Sequence, residues 1–160
     1  MATTFTLSGG DIPRPYRKCR IEYFREAASQ TYVKGDVLIL QTTADKGDQV
    51  KISGADPSSG TVVGIAAEDA SGTENTQVGV YVLDQAAEFL VVALNSIDYD
   101  EVGDEYGIVS DATVKWKLDQ TESTAKVFRI TKIAPGYTHG DSNGKYIVKS
   151  AVGVQAVYGT

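Results

Sequence analysis

Three apolar runs constrain the fold more than anything else in the chain: "TVVGIAAED" at 61–69, "TQVGVYVLD" at 76–84 and "AEFLVVALN" at 87–95. Each is short, rich in β-branched residues and bounded by turn formers, which is the pattern of a strand and too brief for a helix. The connections "ASGTEN" and "QA" are short enough to make sequential strands antiparallel neighbours. Gly64 and Gly79 stand inside two of the runs. A missing side chain there predicts a bulge or a close backbone approach, as a small, strongly curved barrel requires.

The same texture extends over most of the sequence. "TYVKGDVLILQ" at 31–41 reads as a strand interrupted at Lys34-Gly35-Asp36, and "QVKIS" as a short strand inside the turn-rich segment 46–60. "TVKWKLD" (113–119), "AKVFRITKIA" (125–134) and "KYIVKSAVGVQAVYG" (145–159) alternate as further strands. Segment 96–111 opens on the one helical turn that the sequence suggests, capped by Ser96 with Asp98 and Asp100 in its first turn. No fixed-period repeat is evident. Sixteen Gly and nine Tyr against one Met and one Trp also favour strands and turns. The expected fold is all-β, a small antiparallel β-barrel or sandwich with little helix. A chain of 160 residues can bury roughly 70% of its unfolded surface as one domain without disulfides.

The N-terminal part differs. "TTFTLSGGDIPRP" at 3–15 has a Gly pair, two prolines and no sustained periodicity. Residues 1–30 are therefore expected to form an extended N-terminal arm, and 31–160 a single β-barrel-like domain. From Tyr16 the chain alternates: Arg17, Cys19, Ile21 and Tyr23 fall on one side, Lys18, Arg20, Glu22 and Phe24 on the other. The reading has Cys19, Ile21 and Tyr23 anchor a strand to the barrel while Lys18 and Arg20 project outward.

Five of the fifteen cations, Arg14, Arg17, Lys18, Arg20 and Arg25, lie within "RPYRKCRIEYFR" at 14–25, although the chain carries a net charge of -6. Residues 1–34 hold six cations against three acids, so the remaining 126 residues carry -9. That asymmetry points to a partner surface, and these five side chains are the candidate binding residues. Tyr16, Tyr23, Phe24 and Tyr32, interleaved with the cations, are also the ingredients of a single-strand nucleic-acid groove. A body at -9 repels a polyanion, however, and the arm offers only about five phosphate contacts. An acidic protein surface fits better, and no nucleic-acid partner is expected.

Other candidate chemistry is thin. Asp98, Asp100 and Asp104, with Gly103, match the first, third, seventh and sixth places of a calcium loop, but Val102 and Val109 stand where ligands are needed. His139, followed by Asp141 and Ser142, has no G-x-S-x-G elbow or oxyanion signature to work with. Cys19 between Lys18 and Arg20 could be an activated thiol, yet the alternation makes it a buried small hydrophobe. One Cys and one His exclude a Cys/His metal cluster and an internal disulfide, and no phosphate-binding glycine loop occurs. The longest apolar run, "FLVVAL" at 89–94, is too short for a membrane helix, and "MATTFTLSGG" does not look like a leader. The expectation is a non-enzymatic protein made in a cytoplasm, with no cofactor, metal or membrane partner. Nine tyrosines and Trp116 supply the alternative of a carbohydrate- or ligand-binding β domain.

The stretch "GTVVGIAAEDASGTENTQVGVYVLDQAAEFLVVAL" (60–94), preceded by "YVKGDVLIL" (32–40), resembles the head decoration, or cement, proteins of tailed bacteriophages. The matching residues are Gly60, Val63, Gly64, Ile65 and Ala66, then the acidic and threonine-rich turn 69–76, then 78–82. "VGDEYGI" (102–108) and "GDSNGKYIVKS" (140–150) look like the second half of such proteins. The resemblance implies a β-barrel that binds the outside of a mature capsid as a homotrimer. The major capsid protein would then be the partner and the virion exterior the location, with the N-terminal segment lying on the shell.

Overall fold

The structure, a computed structural model, describes residues 12–41, 48–57, 61–110 and 115–151. It is all-β. The described strands are β1 (Arg14–Arg17), β2 (Ile21–Glu26), β3 (Val37–Leu40), β4 (Gln49–Ile52), β5 (Val62–Ala66) and β6 (Gln77–Val82), then β7 (Glu88–Ala93), β8 (Glu105–Val109), β9 (Lys117–Asp119), β10 (Phe128–Ile133) and β11 (Lys145–Ser150). Among the described residues, one 3-10 turn covers Tyr99–Glu101. Asp98 caps it, not Ser96, because the Asp98 carboxylate accepts the Asp100 N–H.

The strands close into two five-stranded barrels. Barrel one runs β2-β4-β3-β5-β6, and barrel two runs β7-β11-β10-β8-β9, with β1 added to β7. Each is antiparallel apart from one parallel pair, β2–β4 in the first and β7–β9 in the second. Closure satisfies the strand edges that an open sheet would leave bare.

The two barrels are one topology built twice. Each strand of barrel one has its counterpart five strands later, and the register agrees pair by pair. Arg25 opposes Gln49 as Val92 opposes Lys117, Leu40 opposes Val50 as Ile108 opposes Leu118, and Ile65 opposes Tyr81 as Arg129 opposes Lys149. The turns repeat too. Gly35 and Gly103 hold φ of 97° and 98°, the left-handed region that glycine enters without steric cost. Gly35 donates its N–H to Ala66 O at 2.9 Å, and Gly103 donates to Ile130 O at 2.8 Å. The repeat that the sequence hides is thus explicit in the backbone.

Barrel one is filled by Tyr32, Leu38, Val50, Val63, Ala66, Val78, Val80 and Val82. Barrel two is filled mainly by larger side chains, including Phe89, Phe128 and Tyr146, and its cluster extends to Val37, Val62, Ile65 and Leu83 of the first. The outer side of β3 and β5 is therefore buried against barrel two. Trp116 locks the junction, donating its indole N–H to Asp36 Oδ1 at 2.9 Å.

Two expectations change. Strands β5 and β6 pair as the short connection predicts, but β6 and β7 do not, since the chain crosses between barrels at 83–87. Asp84 Oδ1 accepts the Ala86 and Ala87 N–H groups, giving the crossing a tight-turn appearance. The segment that the sequence reads as one alternating strand from Tyr16 onward falls in two, 14–17 and 21–26, which belong to different barrels. Lys18 at φ 54° turns the chain between them and breaks the alternation read through 16–25. Ile21 (43% exposed) and Tyr23 (65%) consequently face solvent instead of anchoring the strand, and Phe24 packs on the barrel-one core.

Candidate functional site

The five predicted cations do not converge. Arg14 and Arg17 sit on β1 against β7, where the Arg17 guanidinium pairs with Glu88 at 3.4 Å and lies 4.9 Å over the Tyr16 ring. Lys18 is exposed on the first crossing. Arg20 pins that crossing to the second one, donating to Asp84 Oδ2 at 2.7 Å and pairing with Glu22. Arg25 pairs with Asp48 across the β2–β4 seam and donates to Asn75 at 2.8 Å. The hydrogen bond from Arg25 holds the Asp48 carboxyl below the usual carboxylate range. Arg20 and Arg25 are thus held in ion pairs, and Arg14 and Arg17 belong to a different face.

Cys19 is half-buried on the first crossing, its thiol donating to Glu88 O at 3.1 Å. Burial pushes its pKa up, against the lowering effect of backbone hydrogen bonds, so the thiol is not activated by its cationic neighbours. His139 is exposed, with Nδ1 3.4 Å from Asp98 and its ring stacked on Tyr99 at 5.1 Å. Asp141 is occupied with its own loop, accepting the Thr138 N–H at 2.8 Å. Among the described residues, no group of three or more His, Cys, Asp or Glu side chains is placed to hold a metal ion. Trp116, the ring that suggests a sugar-binding face, is buried at 2% exposure. No helix among the described residues is long and apolar enough to cross a membrane.

Sequence reasoning misses Glu26. Fully buried, it accepts the Ser71 and Gly72 N–H groups, both at 2.7 Å, and so ties the acidic turn 69–76 to β2. Such charge-assisted bonds are how a buried carboxylate is tolerated. Its place at the end of an exposed-looking "IEYFRE" run left no signal in the pattern.

The cavities among the described residues include two open ones. One of about 430 Å³ lies between β1 and barrel one, walled by Pro13, Arg14, Lys34, Ile65 and Tyr81. The other, of about 240 Å³, lies over the junction beside Asp36, Ser53, Lys115 and Trp116. In the second, Ser53 Oγ donates to Gly54 O at 2.9 Å, and Asp36 accepts from the Val33 N–H and the Trp116 indole N–H. What the surface does offer is charge separation. Strands β1, β7, β11 and β10 carry six cations and one acid, a local +5 that leaves -11 for the rest of the chain. Compared with known proteins, the chain matches no family model, no curated protein and no solved structure.

Proposed function

We propose that this chain is a structural virion protein, a decoration or cement protein that binds the outer surface of a tailed-phage capsid and stabilises it. The reading rests on the resemblance carried by residues 60–94, whose described part, 61–94, holds the β5–β6 hairpin of barrel one and the crossing into β7. Its physical support is the separation of a cationic sheet from an acidic body, an arrangement suited to steering onto an acidic shell. Closed barrels present few free strand edges, which suits a protein packed at high density on a shell. The major capsid protein is the proposed partner, a homotrimer the proposed form, and the capsid exterior the proposed location. Binding to assembled capsid and not to free subunits would raise shell stability by mass action.

The test is co-sedimentation with mature heads that lack this protein, prepared from the phage that encodes it. Heads should bind the protein saturably and melt at higher temperature when decorated. Absence of co-sedimentation at micromolar protein overturns the reading.

A further inference from the structure

We propose that the outward face of the β1-β7-β11-β10 sheet is a docking surface for an acidic folded protein. This rests on the reading above and moves its contact surface from an extended arm to barrel two.

The six cations of these strands share one face, and the backbone is bent to achieve it. Arg14 and Arg17 are three residues apart on β1, and Arg129 and Lys132 are three apart on β10. In a regular strand such pairs point to opposite faces. The register of β1 shifts between Pro15 and Arg17, and that of β10 between Ile130 and Lys132. Each shift re-aims the second cation onto the side of the first, which is what bulges do at functional edges. Lys145 and Lys149 of β11 lie on the same side by ordinary alternation, since Tyr146 and Val148 point into the core. Arg17 and Arg129 keep 52% of their side-chain surface exposed despite their pairing with Glu88 and Glu105.

The repeat shows what this face is equivalent to. In barrel one the row Val37–Ile65–Tyr81 packs against barrel two. The same register row in barrel two is Glu105–Arg129–Lys149, and it faces outward. The location that barrel one uses to hold a neighbour is thus charged in barrel two, suited to a neighbour of opposite charge. Glu88 and Glu105 interrupt the cations, and part-exposed Leu90 lies between Arg14 and the fully buried Ile147. A protein partner can match interspersed acids among the cations. A phosphate backbone would be repelled by those carboxylates and by the -11 remainder.

The experiment compares two variants of equal charge loss. One replaces the face (Arg17→Gln, Arg129→Gln, Lys132→Gln, Lys149→Gln), and the other replaces cations elsewhere (Lys18→Gln, Lys34→Gln, Lys51→Gln, Lys126→Gln). Binding of fluorescent poly-L-glutamate is read by anisotropy at low salt, with melting curves as the check on folding. The face variant should lose about ten-fold or more in affinity and the control little. Lys132→Gln/Lys149→Gln, which disrupts none of the described ion pairs, should lose affinity in the same direction even if the quadruple variant unfolds. Equal loss in both quartets, or no binding by the wild type, overturns the proposal. Double-stranded DNA bound as tightly and through the same quartet overturns the choice of an acidic protein. With heads as the probe, wild-type binding that the face variant retains overturns this surface and leaves the decoration reading standing. Heads that bind neither protein, with poly-L-glutamate binding intact, refute the decoration reading instead.

Discussion

Barrel one and barrel two share strand order, the parallel closing pair and the register of every equivalent pairing, yet they are filled differently. Where barrel one has Gly64, barrel two has Phe128; where it has Val78, barrel two has Tyr146; where it has Glu22, barrel two has Phe89. Phe89 and Phe128 pack with centroids 6.1 Å apart, whereas a Cβ on Gly64 would lie 2.0 Å from the Tyr81 carbonyl oxygen. The first barrel closes by backbone approach and small aliphatics, the second by aromatic bulk. Topology therefore follows from turn chemistry and strand spacing, and the interior volume is free to vary around it.

That comparison can be broken at equivalent positions. Phe128→Ala should cost about 3–5 kcal/mol, because it empties the aromatic interior of barrel two. Gly64→Ala, at the matching place in barrel one, should cost about 2 kcal/mol or more by forcing a methyl onto a backbone oxygen. Urea denaturation measures both, and a neutral Gly64→Ala would show that the first barrel is not closed by backbone contact. Next in size are Gly35→Ala and Gly103→Ala, each expected to cost about 1–2 kcal/mol for a left-handed φ. Gly35→Ala should be the more costly, since its Cβ would also meet the Ile12 side chain at 2.6 Å while that of Gly103 meets nothing.

A pH series probes barrel two more gently. Burial pushes the Tyr106 phenol of barrel two from 10.0 up to about 12. The folded state thus favours the neutral phenol, so this contribution is complete below about pH 10 and is lost as pH rises toward 12. The urea midpoint should fall between pH 9 and pH 11, and Tyr106→Phe should flatten the fall; an unchanged slope would mean that the phenol is not buried in solution. The smallest effect concerns Cys19. With its thiol pKa raised by burial, it should react with a disulfide reagent at pH 8 about ten-fold more slowly than free cysteine.

Much of the strand pattern is legible in the residues, because half-buried strands alternate and these do. The runs at 61–69, 76–84 and 87–95 contain β5, β6 and β7. The partition into two barrels is hidden. "QA" looks like a hairpin turn, and the Asp84 side chain, by capping Ala86 and Ala87, builds a tight turn that serves as a crossing. The repeat is hidden because the identities that survive are few, among them Gly35 with Gly103, Asp36 with Asp104, Gly72 with Gly140, Asn75 with Asn143 and Val80 with Val148. The two Gly-Asp turns, each just ahead of a strand, and the paired positive-φ Gly and Asn ahead of β6 and β11 were the available signals. The basic segment misleads for a further reason. Its regular alternation of letters runs through Lys18, whose left-handed conformation sends the two halves into separate barrels, and a pattern of hydrophobicity does not register backbone handedness.

Strand β1 has a mechanical consequence. The described chain starts on barrel two, leaves through 18–20 to build barrel one, and returns through 83–87, with Arg20 bridging the departure to the return. Barrel one is in effect a loop inserted into the sheet of its neighbour. Both described ends, next to β1 and just past β11, emerge beside β7. A force applied between the ends therefore passes through the β1–β7 and β7–β11 ladders in shear, and barrel one lies outside the load path until β1 detaches.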